Sequence, residues 1–340
     1  YNIAKLGVKF GWSFIFEQSG FPIHQGFITH THLHSNANVW LVGFINALSV
    51  GLMSMLLSTL LAIVIASFHY TQHPLLVLSA NSYVEIFRNV PLLVQLLFWY
   101  NIWVQKMPYL QNSFSVGGIL INNRGLFIAD PSQTVLLLAL FVLLLAALLF
   151  AYIYYQGLYG YCCLCALGLW LVYLCSGLLL LPGQSLPSIS GFNIENALQI
   201  YPSFIGLCAG LTAYSAAFSA EIIRGAVQAL PKGQSEVARS LGLSPWQIYT
   251  KVILVQILPA VIPNMASQYL NIAKNSSLGR SIGYPEVFAV FGGTVLNQTG
   301  RAVEIMLCIM ATYFLLSFII IEAFLWFDKR QMCWSSQSIY

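Results

Sequence analysis

The sequence predicts an all-α fold, a polytopic transmembrane helical bundle. Hydrophobic residues occupy 58% of the 340 positions and charged residues only 7%, against about a quarter charged in a typical soluble domain. The few charges leave apolar runs of about 20 residues, the length that crosses the hydrocarbon core of a bilayer. The basic residues sit beside these runs, so the net charge of +4 indicates membrane topology and not a nucleic-acid partner.

Seven stretches are predicted to span the membrane because each carries about 17 or more residues with few or no charges. They are 39–67, 83–104, 134–154, 161–181, 202–222, 252–273 and 303–327. The second stretch begins with Glu85 and Arg88 and contains Pro91, so its first turns must face a loop, a partner or a polar cavity. Because the chain starts with Tyr1 and not with Met, the count leaves room for one further N-terminal span.

Basic residues between the fifth and sixth spans orient the predicted bundle. Lys232, Arg239 and Lys251 stand there against Glu236 alone, which places this loop in the cytoplasm. The predicted regions are an extracytoplasmic N-terminal segment (1–38), two core spans (39–104), external loops with an inserted two-span hairpin at about 134–181 (105–200), three core spans with a cytoplasmic coupling loop at 225–251 (201–327) and a cytoplasmic tail (328–340).

Metal and nucleotide sites are not expected in this chain. His30, His32 and His34 alternate in the external segment, but no fourth ligand stands nearby, and we expect a solvated loop. The seven cysteines lie mostly in apolar runs without the paired C-x-x-C spacing of a zinc site. No G-x-x-x-x-G-K-[ST] sequence is present to bind a nucleoside triphosphate, so the energy for any active process must come from another subunit.

The cytoplasmic loop carries the sequence LPKGQSEVARSLGLSP at 230–245, in which Pro231 is predicted to start a helix and Gly242 to end it in a sharp turn. It resembles the EAA loop of ABC-transporter permeases, in which two short helices dock into a cleft on the ATP-binding subunit. The resemblance implies a set of residues that couple to the ATPase: Glu236, Ala238, Arg239, Ser240, Gly242 and Ser244.

Three further motifs occur in the order found in polar amino-acid permeases. They are YVEIFRNVPLL at 83–93, YSAAFSAEIIRG at 214–225 and KNSSL at 274–278. IGYP at 282–285, GGTVLNQTG at 292–300 and NNRG at 122–125 resemble the general L-amino-acid permease type. The resemblance covers 39–104 and 200–327 and implies the type I ABC importer permease fold. One departure is Val255, which stands where the family pattern has proline, with Pro259 one turn later.

The resemblance implies a permease subunit that forms the translocation path for broad-range, polar L-amino acids and is not itself an enzyme. Its implied partners are a second, homologous permease in a heterodimer, two ATP-binding subunits that hold ATP and Mg, and an external substrate-binding protein. The implied location is the bacterial inner membrane, with the N-terminal segment outside and the C-terminus in the cytoplasm. A stand-alone secondary transporter or channel for small polar solutes, or a non-transporting scaffold subunit, remains an alternative.

Ionisable residues at membrane depth are the candidate substrate contacts. Lys274 with Asn275, Ser276 and Ser277 suits the carboxylate of an amino acid, and Glu85 or Glu221 suits its ammonium group. Two alternatives stay open. Glu85 with Arg88, and Glu221 with Arg224, have the spacing of structural ion pairs, and Lys274 has the length to extend to the membrane interface.

Overall fold

The computed structural model describes residues 11–129 and 187–337, apart from positions 27, 29, 72, 117, 192, 245 and 246. The side chains of residues 129, 232 and 250, and those beyond residue 326, are also outside the description. The chain divides into two compact units, one of residues 1–100 and 206–340 and one of residues 101–205. The predicted spans at 134–154 and 161–181, and the hairpin that they form, lie outside the described residues.

Helices dominate the first unit. In chain order they are α1 (Asn36–Phe68), α2 (Pro74–Asn89), α3 (Leu92–Lys106), α4 (Pro202–Gln228), α5 (Lys232–Ser240), α6 (Leu254–Asn275), α7 (Val287–Ala289), α8 (Leu296–Thr299) and α9 (Ala302–Gln337). A π-helix (Ile248–Ile253) precedes α6, a 3₁₀ helix (Ser276–Ile282) follows it, and a second π-helix (Val290–Val295) joins α7 to α8.

Four helical stretches among the described residues are long and apolar enough to cross a membrane. They are Asn36–Phe68, Pro202–Gln228, Lys251–Ile282 and Ala302–Trp326. They coincide with the first, fifth, sixth and seventh spans predicted from the sequence. The described part of the chain is therefore a helical membrane protein with these four spans where the apolar runs predicted them.

The second predicted span, 83–104, is not one continuous helix. α2 ends at Asn89 and α3 begins at Leu92, so the chain breaks at Pro91, whose ring lacks an N–H donor and disfavours a helical residue before it. The Gln95 side-chain amide donates to the Phe87 and Val90 carbonyl oxygens at 2.9 Å each. This buried amide therefore replaces hydrogen bonds that the break removes.

Small residues hold α1, α2 and α4 together. Ala62, Ala80, Ala216 and Ala220 are buried in one cluster, and the Tyr83 hydroxyl donates to the Ala213 carbonyl oxygen at 2.8 Å. In a bilayer, where lipid tails are as apolar as leucine, helices associate mainly through such close packing and interhelical hydrogen bonds.

Glycine allows two of the closest helix contacts. A side chain on Gly206 of α4 would place its Cβ 2.9 Å from the Tyr100 Cα of α3, and one on Gly43 of α1 would lie 3.0 Å from the Val287 Cα of α7. Neither distance is compatible with a larger residue unless the backbones separate. These positions therefore fix α3 against α4 and α7 against α1.

The N-terminal segment packs over the turn that precedes α9. Phe14 is fully buried, and its carbonyl oxygen accepts from the Asn36 side chain at 2.8 Å. The Gly11 N–H donates to the buried Glu304 carboxylate at 2.8 Å, and Arg301 donates to the Gly11 carbonyl oxygen. The segment thus links the start of α1 to the start of α9.

A buried carboxylate, Glu286, organises the turn between α6 and α9. It is fully buried and caps α7 by accepting from the Phe288 and Ala289 N–H groups at 2.6 and 2.7 Å. The Tyr313 hydroxyl of α9 donates to the same carboxylate at 2.7 Å. Glu286 therefore ties the short helix α7 to the last span.

The described part of the second unit contains two antiparallel sheets. Their strands are β1 (Phe114–Val116), β2 (Ile119–Asn122), β3 (Gly125–Ala129), β4 (Ser188–Ser190), β5 (Asn193–Glu195) and β6 (Ala197–Ile200). The first sheet has the order β1-β2-β3-β6, and the second pairs β4 with β5. In the first sheet Phe127 of β3 lies opposite Gln199 of β6. These strands were not predicted from the sequence, which indicated only external loops.

Replacing Glu286 with alanine is expected to lower the free energy of unfolding by about 1–3 kcal/mol, because it removes a helix cap and leaves the Tyr313 hydroxyl unpaired. Thermal unfolding of the purified protein in detergent measures this loss. Glu322→Ala is the matched control, since Glu322 is exposed on α9 and its truncation should have little effect. Equal unfolding temperatures for the two variants would contradict the role given to Glu286.

Candidate functional site

The helix α6 is amphipathic in an unusual sense for a membrane span, because its polar side is the exposed one. Its buried side carries apolar residues such as Ile257, Met265 and Ile272. Its exposed side carries five polar residues, Gln256, Asn264, Ser267, Asn271 and Lys274, with the exposed Ala260 and Pro263 between the first two. We call these five residues the polar face of α6.

The other long apolar helices expose a different kind of surface. On α1 the exposed residues include Leu52, Leu56 and Leu60, and on α9 they include Met310 and Phe314. Such faces suit lipid or an apolar neighbour, whereas a row of amide, hydroxyl and ammonium groups does not. The polar face of α6 therefore requires water, a polar partner or a ligand against it.

The four residues predicted to line the path at the end of this helix differ in exposure and hydrogen bonding. Lys274 is exposed, and its ammonium group forms no salt bridge to any described residue. Ser277 is half-buried, and its hydroxyl donates to the Lys274 carbonyl oxygen at 2.8 Å. Ser276 is buried and donates to the Ala273 carbonyl oxygen at 2.7 Å, and Asn275 is half-buried. Lys274 and Ser277 can thus contact a solute, whereas Ser276 faces the core.

Arg280 belongs beside this group, although sequence reasoning missed it. It is exposed on the 3₁₀ helix that continues α6, with its guanidinium 5.1 Å from the centre of the Phe288 ring. Its Nη1 donates to the Gly292 carbonyl oxygen over a long 3.4 Å. The available clue was a second cation six residues after Lys274, just beyond the matched K-N-S-S-L motif.

Glu221 and Arg224 form the predicted ion pair near the end of α4. The Arg224 Nε donates to the Glu221 carboxylate at 2.9 Å, with a second bond through Nη2. The Tyr70 hydroxyl donates to the Arg224 carbonyl oxygen at 3.2 Å, which joins α4 to the residues after α1. Because Arg224 pairs with its carboxylate, Glu221 is part of a structural ion pair.

The pKa values of two aromatic side chains beside this ion pair are shifted by their surroundings. Burial, and then the nearby Arg224 charge, lower the pKa of His69 below its ordinary value. Burial raises the pKa of Tyr70 to about 12. His69 is therefore neutral at physiological pH, and the pair gains no additional positive charge from it.

The second predicted ion pair, Glu85 with Arg88, is absent from the salt bridges of the described residues. The Arg88 guanidinium instead lies 5.2 Å from the centre of the Phe218 ring of α4, and Glu85 is exposed. Spacing on one helix made the pair geometrically possible, but the aromatic ring of a neighbouring helix holds the arginine. The Glu85 carboxylate therefore forms no salt bridge with a described residue.

The segment that resembles the EAA loop folds as α5 followed by a tight turn. Gly242 adopts a φ of +78°, and two bonds close the helix end, from Leu243 N to the Ala238 oxygen and from Gly242 N to the Arg239 oxygen. This is the Schellman arrangement, in which a glycine in the left-handed region ends a helix. The predicted stop at Gly242 is confirmed.

The chain re-enters a helix through a capping box. The Ser244 hydroxyl accepts from the Gln247 N–H at 3.3 Å, and the Gln247 side chain accepts from the Ser244 N–H at 2.9 Å. The π-helix Ile248–Ile253 follows and runs directly into α6. A local change of helix type thus lies immediately before Val255, the position where the family pattern has proline.

The exposed surface of α5 differs in detail from the set predicted to couple to an ATPase. Glu236, Arg239, Ser240, Gly242 and Ser244 are exposed. Ala238 is buried and only 4% exposed, so its small side chain serves packing inside this chain. The exposed apolar residues are Val237 and Leu241, at 61% and 76%, one helical turn apart. They were missed because the sequence alone did not show which side of α5 packs inward.

His30 differs from the expected solvated loop. It is 3% exposed, and its ring nitrogens lie 2.9 Å from the Ser19 Oγ and 2.7 Å from the Asn38 Oδ1. His32 and His34 are exposed. His30 therefore holds the N-terminal segment against the start of α1, because the fold of this segment buries one histidine of the alternating three.

Comparison with known families decides what kind of protein this is. The profile of the family described as "Binding-protein-dependent transport system inner membrane component" matches residues 134–332, more than half of the chain. The chain belongs to this family. This permease is therefore a multi-pass protein of the inner membrane.

Two relatives of similar length extend this assignment. The permease is 34% identical to the putative amino-acid ABC transporter permease protein YhdX of Escherichia coli, over 93% of this chain and 84% of that one. It is 33% identical to the general L-amino acid transport system permease protein AapQ of Rhizobium johnstonii, over 97% and 85%.

Solved structures share the fold. An amino acid ABC transporter crystallised with histidines matches with a TM-score of 0.53 and 21% identity, over 86% of this chain and 94% of that one. The MetNI methionine ABC transporter in an inward-facing conformation matches with a TM-score of 0.52 and 14% identity, over 86% and 96%. The fold of this permease is thus that of ABC importer membrane subunits.

Proposed function

We propose that this permease forms the translocation path of an ATP-driven amino-acid importer. The two named relatives are described as permease proteins of amino-acid transport, and this chain aligns with 84% and 85% of their length, which supports the substrate class. The observation that carries the proposal is the polar face of α6, because it is the exposed surface of a membrane span that lipid cannot satisfy.

The polar face of α6 lines the path, opposite a second permease that supplies the other wall. The span begins at Lys251, and Lys274 lies 23 residues later, about 34 Å along the helix at 1.5 Å per residue. Since the hydrocarbon core is about 30 Å thick, Lys274 lies at the outer mouth when Lys251 is at the cytoplasmic side. Ser267 and Asn271 then provide hydrogen-bonding groups deeper along the same wall.

The exposed apolar residues of α5, Val237 and Leu241, contact a separate ATP-binding subunit. That subunit holds ATP and Mg, and an external binding protein delivers the amino acid. The Schellman turn and the capping box connect α5 to the π-helix and hence to α6. A movement imposed on α5 by nucleotide binding therefore reaches the polar face through this turn and the π-helix, because the π-helix is continuous with α6.

A stand-alone transporter or channel is the second candidate for this fold. Such a protein has no subunit to cover α5, and Leu241 at 76% exposed would remain in water.

The orientation that fits the proposal places the segment before α1 outside and the end of α9 in the cytoplasm. This orientation requires an odd number of spans, which the seven predicted from the sequence would satisfy.

Leu241→Asp should weaken docking of the ATP-binding subunit, because it places a charge at the centre of an apolar contact. Gly242→Arg should uncouple ATP hydrolysis from uptake, since a bulky residue is strained at a φ of +78°. Co-purification of the ATP-binding subunit and uptake into vesicles measure these effects. Leu75→Asp is the control, because Leu75 is also an exposed leucine, at 67%. Normal co-purification and uptake for both α5 variants would exclude the docking surface.

Lys274→Met removes a charge and keeps much of the length of the side chain. We expect uptake to fall by about tenfold or more, because a charge-assisted hydrogen bond to the substrate carboxylate contributes about 1.5–3 kcal/mol. The amount of assembled complex should not change. Lys106→Met, on α3, is the matched control. If the Lys274 variant assembles and transports every amino acid at the wild-type rate, Lys274 is an interfacial anchor and has no role in the path.

A further inference from the structure

The helix type after α6 places three polar side chains in one line. Ser276–Ile282 is a 3₁₀ helix, in which residues three apart eclipse one another and each residue rises by about 2 Å. Ser277 and Arg280 are three apart within this 3₁₀ helix, so they share one edge about 6 Å apart, and Lys274, three residues before Ser277, lies in the last turn of α6. An α-helix would rotate Arg280 away from Lys274, so the 3₁₀ geometry is what aligns the two cations.

Arg280 is held in place without being neutralised. Its guanidinium stacks against Phe288, and its Cζ would lie 3.9 Å from a Cβ on Gly293, so it rests against the backbone of the second π-helix. One long bond to the Gly292 carbonyl oxygen occupies Nη1. Because a guanidinium carries five N–H donors in a planar fork, most of its donors remain for a carboxylate.

The carboxylates of the same region are already engaged. Glu286 lies within electrostatic range of Arg280, but it is fully buried and its oxygens accept from two backbone N–H groups and Tyr313. Glu304 is fully buried at the start of α9, where one carboxylate oxygen accepts from Gly11 N and the other has no hydrogen-bond partner among the described residues. Among the described residues, the salt bridge of the structure joins Glu221 to Arg224. Within that part of the chain, Lys274 and Arg280 are thus exposed cations without a carboxylate in contact.

We propose that Lys274, Ser277 and Arg280 form a recognition site for two carboxylates, and that Arg280 makes the path prefer amino acids with acidic side chains. This inference rests on the proposed amino-acid path. One carboxylate of the substrate pairs with Lys274 and the other with the fork of Arg280, and the Ser277 hydroxyl oxygen accepts from the substrate ammonium. A neutral amino acid satisfies one of the cations and leaves the other unpaired.

The test compares L-glutamate with L-glutamine, which differ in charge and hardly in shape. Equilibrium binding of each to the purified complex of permease and ATP-binding subunits, without the external binding protein, reports the preference of the path itself. The wild type should bind glutamate at least about tenfold more tightly than glutamine, as expected for one additional charge-assisted hydrogen bond. Arg280→Gln should remove that preference while glutamine binding changes little.

Two further variants keep the test decisive. Arg280→Lys retains the charge and loses the bidentate fork, so it should show an intermediate preference even if Arg280→Gln disturbs assembly. Arg124→Gln, an exposed arginine between β2 and β3, should leave the preference unchanged. A wild type that binds both amino acids equally or binds neither, or an Arg280→Gln variant that keeps the preference, overturns the inference. ATP-dependent amino-acid uptake by the wild type would still support the proposed path in each of these cases.

Discussion

A polar group at bilayer depth must find a partner within the protein or face a water-filled space, and this constraint sorts the polar residues of the permease. The side-chain amide nitrogen of Gln95 satisfies it by donating to the carbonyl groups that the break at Pro91 leaves free. The amide nitrogen of Asn46 does so by donating to the Pro285 carbonyl oxygen, and Glu221 by pairing with Arg224. On α6 the polar side chains face outward, so they need water, a polar partner or a ligand against the helix.

In the proposed mechanism, α6 joins the coupling surface on α5 to the translocation path. Its N-terminal end continues from the π-helix that packs beside α5, and its C-terminal end continues into the 3₁₀ helix that carries Arg280. Two changes of helix type therefore flank α6, and Pro259 and Pro263 lie within it. Departures from α-helical geometry are common at functional positions and permit bending, which suits an element that must transmit a movement from the ATPase to the path.

Much of the fold followed from the sequence. Apolar runs predicted four spans that the structure describes, and Gly242 predicted the end of α5, because length and backbone conformation are local properties. The sheets of the second unit, the inward side of Ala238 and the stacking of Arg88 on Phe218 could not be predicted, since each depends on which element packs against which. The burial of His30 depends in the same way on the fold of the N-terminal segment.

The sequence likewise predicted some residues of the candidate site and missed others. Lys274 and the ion pair of Glu221 with Arg224 were predicted from isolated charges and their spacing. Arg280 was missed because its alignment with Lys274 requires a 3₁₀ helix, which no residue pattern in 276–282 specified. Ser276 was assigned to the path because it is adjacent to Ser277, yet on a helix adjacent residues point to different sides, and Ser276 faces the core.

The central claim is that the polar face of α6 lines a water-filled path. It is tested most directly by the reactivity of Asn271→Cys toward a hydrophilic thiol reagent in membrane vesicles, with Met310→Cys on the exposed apolar side of α9 as the comparison and the unaltered chain as the background for its native cysteines. We predict that Asn271→Cys reacts, that an amino-acid substrate slows the reaction, and that Met310→Cys stays unmodified. An Asn271→Cys variant as unreactive as Met310→Cys would contradict the claim.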